Sequence, residues 1–416
     1  MTRMIFDDWG DLYADRMSSV RRSAVRDLFS AASRSDVISL SGGMPDISNL
    51  PLDLVSEAAA QAIREEGMQA LQYGTSPGRD QTREVVCELL EDFDIHIAID
   101  DVIITAGAQE ALDLLGKVFI NPGDPIITEA PTYVGALQAF SQYEPDIHGI
   151  EMDDDGMRMD MLVDELEKLG PERRPKFLYT IPNFHNPAGV TMSLERRREL
   201  LEISHRYGLL IIEDDPYGRL RYEGEPIDCL RKMDDDVIYL GTVSKVFAPG
   251  LRTGWIVAPK PILEKINLCK QGTDLCGSNL NQVMVEHYFH DTPWRETLVK
   301  LRGVYDERRK AMLSALDEFF PEEATWTHPQ GGFFLWVTLP KYFDTDQMLS
   351  LALDRGVTYV PGAGCYPGEG GDSSMRIAFC YESPENIREA IRRLSLVIED
   401  RIELYRAFIK AGAISE

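Results

Sequence analysis

Val237-Ile238-Tyr239-Leu240-Gly241-Thr242-Val243-Ser244-Lys245 decides how this chain folds. Four apolar residues, enough for a buried strand, run without a break into a glycine, two hydroxyl side chains and a lysine. The same transition recurs upstream. Val102-Ile103-Ile104 leads into Thr105-Ala106-Gly107-Ala108-Gln109, and Pro125-Ile126-Ile127 into Glu129-Ala130-Pro131-Thr132-Tyr133. Phe177-Leu178-Tyr179 leads into Pro182-Asn183-Phe184-His185-Asn186-Pro187-Ala188-Gly189, and Leu209-Leu210-Ile211-Ile212 into Glu213-Asp214-Asp215-Pro216-Tyr217. Helical patterns over 109–120, 133–143 and 193–207 lie between, the last opened by Ser193, a residue type suited to cap a helix. Near-continuous apolar strands separated by amphipathic helices predict an α/β fold whose mostly parallel sheet is covered on both faces. Ligands bind beyond the carboxyl ends of such strands, so the five polar clusters converge on one site.

Beyond about residue 290 the pattern changes. A helical stretch over 294–320 leads to Gly331-Gly332-Phe333-Phe334-Leu335-Trp336-Val337-Thr338-Leu339. A helix, the strands Val357-Thr358-Tyr359-Val360 and Met375-Arg376-Ile377-Ala378-Phe379, and a last helix complete a smaller α+β domain. The expected division is an N-terminal arm with a helix over 19–32 packing on the small domain (1–45), a large domain (46–293) and the C-terminal small domain (294–416).

Composition narrows the function. The 416 residues are 44% hydrophobic and 27% charged, as in a soluble globular protein. A formal net charge of −26 repels nucleic-acid phosphates and anionic lipid, so neither is an expected partner. No stretch approaches the ~20 apolar residues of a membrane span. The acidic runs Asp153-Asp154-Asp155 and Asp234-Asp235-Asp236 read as solvated turns. The six cysteines form no C-x-x-C pair, and His287 and His290 have no ligand cluster around them, so no metal is expected. The acidic start lacks the pattern of a signal peptide, and a cytoplasmic, reduced setting is expected.

Lys245 is the centre of the chemistry. A lysine at the mouth of a buried strand, near a second cation such as Arg252, loses basicity and becomes an amine nucleophile. Asp214 ends an apolar run, where a carboxylate is costly unless paired; opposite a heteroaromatic nitrogen it would keep that nitrogen protonated. Tyr217 could donate to a phenolic oxygen on the same ring. Gly107 and the amides after it, entering a helix, make an anion cradle that Thr242, Ser244 and Arg252 could complete. Arg376 offers a guanidinium fork for a carboxylate, and Gly43 allows backbone to come close to it.

Three motifs together carry a resemblance. Asn186-Pro187-Ala188-Gly189 resembles N-P-x-G, Asp214-x-x-Tyr217 resembles D-x-x-Y, and Thr242-x-Ser244-Lys245 with Arg252 seven residues on resembles S-x-S-K-x6-R. The chain, from about Ser39 to Phe379, is similar to the fold-type I aminotransferases of class I/II, which depend on pyridoxal 5'-phosphate (PLP). Ala188 departs from the family's usual Thr or Ser. The resemblance implies the aspartate aminotransferase-like fold, with a large PLP-binding domain and a smaller α+β domain. It implies that Lys245 forms a Schiff base with PLP and shuttles the substrate proton, and that Asp214 pairs the pyridine nitrogen. Asn186 and Tyr217 would hold the ring oxygen, Tyr133 would stack on the ring, and Gly107, Ala108, Gln109, Thr242, Ser244 and Arg252 would take the phosphate. Tyr73, in Gln72-Tyr73-Gly74-Thr75-Ser76-Pro77-Gly78, resembles a tyrosine that reaches the phosphate of a neighbouring subunit, which implies a homodimer. Arg376, with Gly43 and Asn186, would bind the substrate.

Within the family the likeness is to the 2-aminoadipate and kynurenine branch. It is carried by Ser41-Gly42-Gly43-Met44-Pro45-Asp46, Ala108-Gln109-Glu110-Ala111-Leu112-Asp113-Leu114, Glu213-Asp214-Asp215-Pro216-Tyr217 and Val246-Phe247-Ala248-Pro249-Gly250-Leu251-Arg252-Thr253-Gly254-Trp255. It implies transfer between an L-amino acid (2-aminoadipate, aromatic or branched-chain) and 2-oxoglutarate, with Arg26 on a mobile N-terminal helix meeting a distal carboxylate. The same cofactor residues also serve a β-lyase, decarboxylase or synthase. A regulator with an aminotransferase-like domain is a further alternative, against which the acidic charge speaks. A binding protein without catalysis is another, against which the intact Lys245 speaks.

Overall fold

The computed structural model describes residues 9–18 and 36–411; Arg26 and the helix expected over 19–32 lie outside the described residues. The strands are β1 (Ile38–Ser39), β2 (Val102–Thr105), β3 (Pro125–Ala130), β4 (Asp146–Asp153), β5 (Gly156–Met157), β6 (Leu178–Thr180) and β7 (Ile211–Asp214). After them come β8 (Ile238–Thr242), β9 (Gly254–Val257), β10 (Thr325–Trp326), β11 (Phe334–Thr338), β12 (Val357–Thr358), β13 (Val360–Pro361) and β14 (Ser374–Ala378). Among the described residues no helix is long and apolar enough to cross a membrane.

The large sheet has the order β2-β9-β8-β7-β6-β3-β4-β5. Strands β8, β7, β6, β3 and β4 are parallel, as their apolar runs predict. Helices cover both faces. Leu112, Leu115 and Phe140 pack with Ile212 and Ile256 in one apolar cluster, and Leu162, Leu166 and Leu200 with Leu178 and Ile211 in another. The sheet departs from the parallel expectation at β9, which runs antiparallel between β2 and β8. The segment joining β8 to β9 carries Lys245 and only a short 3-10 turn at Pro249–Leu251, too little for a crossover, so the chain returns antiparallel. Strand β4 escaped the sequence reading because it lies towards the sheet edge. Of its eight residues only Ile150 is buried, so it lacks an apolar run.

The smaller sheet is antiparallel, β10-β11-β14-β13, and its register places Trp336 opposite Arg376. Leu316, Leu335, Ile377, Ile391 and Leu394 form its core with helices Trp294–Phe319 and Pro384–Lys410. The strand expected over 357–360 is divided. Strand β12 pairs in parallel with β1, whereas β13 pairs with β14. Leu40 then extends the β1 contact, its carbonyl accepting from the Ala378 N–H at 2.7 Å. The Ser41–Pro45 segment is thereby delivered to the junction of the two sheets.

Helix Leu194–Tyr207 begins as its sequence predicts, with Ser193 Oγ accepting from the Arg196 N–H at 3.3 Å, and ends on Gly208 in the left-handed conformation. Its Arg197 is fully buried. The guanidinium donates to the carbonyls of Met192 (3.0 Å), Asp228 (3.0 Å) and Pro182 (3.1 Å), and to Asn183 Oδ1 (2.7 Å). Arg197 thus ties down the loop that presents Asn186. Arg197→Met should lower stability by about 3–5 kcal/mol, since it strands buried acceptors and the nearby Glu213 and Asp215 carboxyls. Urea unfolding checks this; an unchanged midpoint would rule out the tie.

Candidate active site

Lys245 follows β8 and reaches back across the cleft, where Nζ donates to the Gly43 carbonyl at 3.1 Å. Nζ lies 5.8 Å from the Tyr217 ring centroid and 5.7 Å from that of Phe333. Part of the side chain faces the open cleft, but the amine sits deep enough for burial to lower its pKa to about 8, the Arg376 and Arg252 cations adding to the fall. The neutral, nucleophilic form therefore gains as pH rises towards 8. The sequence assigned this effect to Arg252; the structure adds Arg376 from the other sheet.

Asp214 is the last residue of β7 and is buried. Its Oδ2 accepts from the Tyr179 hydroxyl at 2.7 Å, while Oδ1 is buried and has no hydrogen-bond partner among the described residues. Burial pushes this carboxyl up to about 7, Asp215 adds to the rise, and the Tyr179 hydroxyl and Lys245 oppose it. A buried carboxylate oxygen without a donor is costly, and a cationic N–H would relieve it. Asp215 points elsewhere, accepting from Asn183 Nδ2 at 3.1 Å and from the Tyr239 hydroxyl at 3.0 Å. Tyr217 is buried edge-on to Phe333 and Phe334, at 5.4 and 5.9 Å between centroids.

The cradle is built from backbone. Gly107 has φ +81° and precedes helix Ala108–Phe119, and a Cβ there would run into the Arg252 guanidinium. A Cβ on Gly254 would lie 2.8 Å from the Gly107 carbonyl carbon and 2.9 Å from Ala108 N. The two glycines keep side-chain atoms away from the start of the helix, beside Arg252, whose Nη2 donates to the Ala106 carbonyl at 3.2 Å. Thr242 and Ser244 share a hydroxyl contact of 2.9 Å, and Thr242 Oγ1 also donates to the Thr253 carbonyl. Gln109 Nε2 donates to the Gly135 carbonyl at 2.8 Å, beside the half-buried Tyr133. An anion fits such a helix N-terminus.

Arg376, on β14, is 5% exposed, so it is no surface cation. Nη1 donates to Asn186 Oδ1 at 3.0 Å and Nη2 to the Ser41 carbonyl at 2.7 Å, with the Phe334 ring 4.2 Å from the guanidinium carbon. A Cβ on Gly43 would lie 2.6 Å from that same ring, which explains the glycine.

Asp214, Tyr217, Lys245, Asn186 and Arg376 thus gather at the junction of the two sheets. Tyr73 does not; it stands 79% exposed on the surface of the chain. Three participants gave no usable signal in the sequence. Tyr179 is a mid-strand residue whose hydroxyl finds Asp214 only through the sheet. Cys380 is buried, its thiol donating to the Met44 carbonyl at 3.3 Å and its pKa pushed up to about 12 by burial. His185 faces the buried Glu129 at 2.9 Å while its Nδ1 accepts from the Ala188 N–H at 3.2 Å, which pins the Asn186 turn. The sequence reading treated His287 and His290 as ordinary residues; they face Asp291 and Glu88.

A fold with one cleft between a large mixed sheet and a small antiparallel sheet, entered by a partly desolvated lysine, is shared by a known family. The model of the family "Aminotransferase class I and II" matches residues 35–394, and the chain belongs to that family. It is a PLP-dependent aminotransferase, an enzyme that takes an amino acid and a 2-oxo acid as substrates. It is 43% identical over 400 residues to aromatic-amino-acid aminotransferase 1 of Thermococcus litoralis, covering 95% of this chain and 96% of that one. Among solved structures it resembles a Pyrococcus horikoshii kynurenine aminotransferase, with TM-score 0.91 and 41% identity over 95% of this chain and 98% of the other. It also resembles an α-aminoadipate aminotransferase of Thermus thermophilus complexed with N-(5'-phosphopyridoxyl)-L-leucine, with TM-score 0.89 and 35% identity over 96% and 100%.

The residues present fit PLP. The donorless Asp214 Oδ1 suits a protonated pyridine nitrogen, and the glycine-lined cradle suits the phosphate. A pH prediction arises here. Covalent capture of PLP by the apo-protein should quicken about tenfold per pH unit below about 8 and level off above it, as Lys245 loses its proton. Stopped-flow absorbance checks this; a midpoint near that of an ordinary lysine would refute the desolvated environment.

Proposed function

We propose that this enzyme transfers the amino group of an L-amino acid of aromatic, 2-aminoadipate or branched-chain type to 2-oxoglutarate. The observation that carries the reading is the meeting of Lys245, Asp214 and Arg376 in one cleft: an amine of lowered basicity, a carboxylate oxygen wanting a cation and a buried guanidinium fork. The substrate range is supported by the relatives, whose names specify aromatic amino acids, kynurenine and α-aminoadipate, the last with a leucine adduct.

PLP, when bound, supplies a ring that accepts the negative charge developed at the substrate α-carbon. Lys245 holds the cofactor and moves the proton at the α-carbon. Asp214 keeps the ring nitrogen protonated through Oδ1, while Tyr179 holds Oδ2 in place. Asn186 and Tyr217 meet the ring oxygen, and Tyr133 covers the ring face. The amides of Gly107, Ala108 and Gln109, with Thr242, Ser244 and Arg252, take the phosphate. Arg376 clamps the substrate carboxylate beside the Gly43 backbone, and Arg26 meets a distal carboxylate when the substrate has one.

The active unit is a homodimer, with Tyr73 completing the phosphate site of the partner. The support is an apolar strip that one chain leaves in water: Leu52 is 63% exposed, Met68 92%, Leu71 69% and Tyr73 79%. Sedimentation should give twice the 46.9 kDa chain mass; a monomer with full activity would overturn the dimer.

The function is tested by absorption of the holoenzyme on adding L-2-aminoadipate, L-phenylalanine or L-leucine, and then 2-oxoglutarate. The visible cofactor band should fade with an amino acid of this group and return with the oxo acid. A band that none of the three changes would refute the substrate assignment. A band that fades but is not restored by 2-oxoglutarate would refute the acceptor.

A further inference from the structure

Lys270, on helix Lys260–Thr273, is completely buried, yet no step above uses it. Its Nζ lies 3.3 Å from Glu110 Oε1 and donates to the Asp274 carboxylate. Glu110 belongs to the first turn of helix Ala108–Phe119, and its Oε2 accepts from the Ala106 N–H. The next peptide along is held by Arg252, which donates to the Ala106 carbonyl at 3.2 Å. The Ala106–Gly107 turn is therefore gripped from both sides, by a carboxylate behind it and a guanidinium in front.

This arrangement creates a conflict. A carboxylate in the first turn satisfies an orphan N–H and the helix dipole, but a phosphate seeks the same N-terminus. Two anions sharing one helix end repel each other. A buried ammonium on the far side of Glu110 offsets that charge without reaching the phosphate itself. We propose that Lys270 is a positioning and charge-compensating residue for the phosphate site, which lets Glu110 shape the turn while the helix end still accepts a dianion. The proposal rests on the reading of Gly107–Gln109 and Arg252 as the phosphate cradle.

The test is titration of the apo-protein with PLP, followed by protein fluorescence, and separately with inorganic phosphate as a competitor. Lys270→Met should weaken both ligands by about tenfold or more. Glu110→Gln keeps an acceptor for the Ala106 N–H and removes the charge, so affinity should hold or rise. The double variant Glu110→Gln/Lys270→Met should return to within about threefold of the parent. A merely structural role would lower affinity in both single variants without recovery in the double, and that pattern overturns the proposal, as does unchanged binding in Lys270→Met. If Lys270→Met does not fold, Glu110→Gln decides alone: a tenfold loss overturns the proposal, and held or raised affinity supports it. Arg252→Ala separates the two levels. If that variant also binds phosphate like the parent, the cradle reading fails; if it loses affinity while Lys270→Met does not, only the role of Lys270 fails.

Discussion

Lys245→Ala should lower transamination by about a thousandfold or more while the fold survives. In the proposed mechanism the amine supplies two things at once: the covalent hold on PLP and the proton movement at the substrate α-carbon, the second alone worth about 10²–10⁴ in rate. Among the described residues nothing nearby replaces it. Cys380 keeps its proton because burial has raised its pKa to about 12, and burial raises Tyr217 well above its ordinary range. The alanine also removes the donor to the Gly43 carbonyl, a contact of 3.1 Å across the cleft, which is a modest loss beside the chemistry. PLP should still bind through the phosphate cradle and Asp214, so the variant should carry cofactor that borohydride does not fix to the chain. Mass spectrometry after reduction, beside a turnover assay, checks both halves. Normal turnover in this variant would overturn the whole assignment.

Asp214→Asn should lower kcat by about 10²–10³ with a smaller change in KM. The amide nearly matches the carboxylate in shape, and its oxygen can still accept from Tyr179, so the 2.7 Å contact has a replacement. What disappears is the negative charge proposed to hold a protonated pyridine nitrogen. Fixed charges and dipoles aimed at developing charge, in a site closed to water, commonly contribute more to an enzyme's rate than any other single effect. Asp214→Glu is the companion: it restores the charge, lengthens the arm and should recover part of the loss. Equal activity in Asp214→Asn and the parent would show that the ring nitrogen needs no anion here. Burial raises the native carboxyl to about 7, so the stability it lends the apo-protein at low pH falls between about 4 and 7 and is gone above that. Between the unfolded value near 4 and about 7 the folded form binds the extra proton, so this group favours folding at low pH and ceases to do so as pH rises through 7.

The fold was readable where the signal is local. The runs of β2, β3, β6, β7 and β8 are buried along their length, and each ends where its polar cluster begins, because backbone at the carboxyl end of a parallel strand must leave the sheet. The Ser193 cap and the glycine at 107 were readable for the same reason, since a cap and a positive φ are decided within a few residues. Strand β4 was not, because an outer strand with only Ile150 buried looks like a loop in one dimension. The direction of β9 was not either, because it depends on how far the β8–β9 connection can travel.

Short motifs in the sequence carried the family, the expectation that Lys245 and Asp214 serve the cofactor, and the order of the strands' polar ends along the chain. These are motifs of short spacing whose chemistry is carried by residue type. Which of those groups are desolvated, and what each one faces, follows from the packing of distant segments. Arg376 meets Asn186 across 190 residues of chain and Ser41 across 335, and together those contacts turn a strand cation into a buried fork. Tyr179 takes one oxygen of Asp214 and leaves the other open, and Lys270 stands behind Glu110 at the cradle. Burial and pairing are properties of space, and they set the charge of every group that does the chemistry.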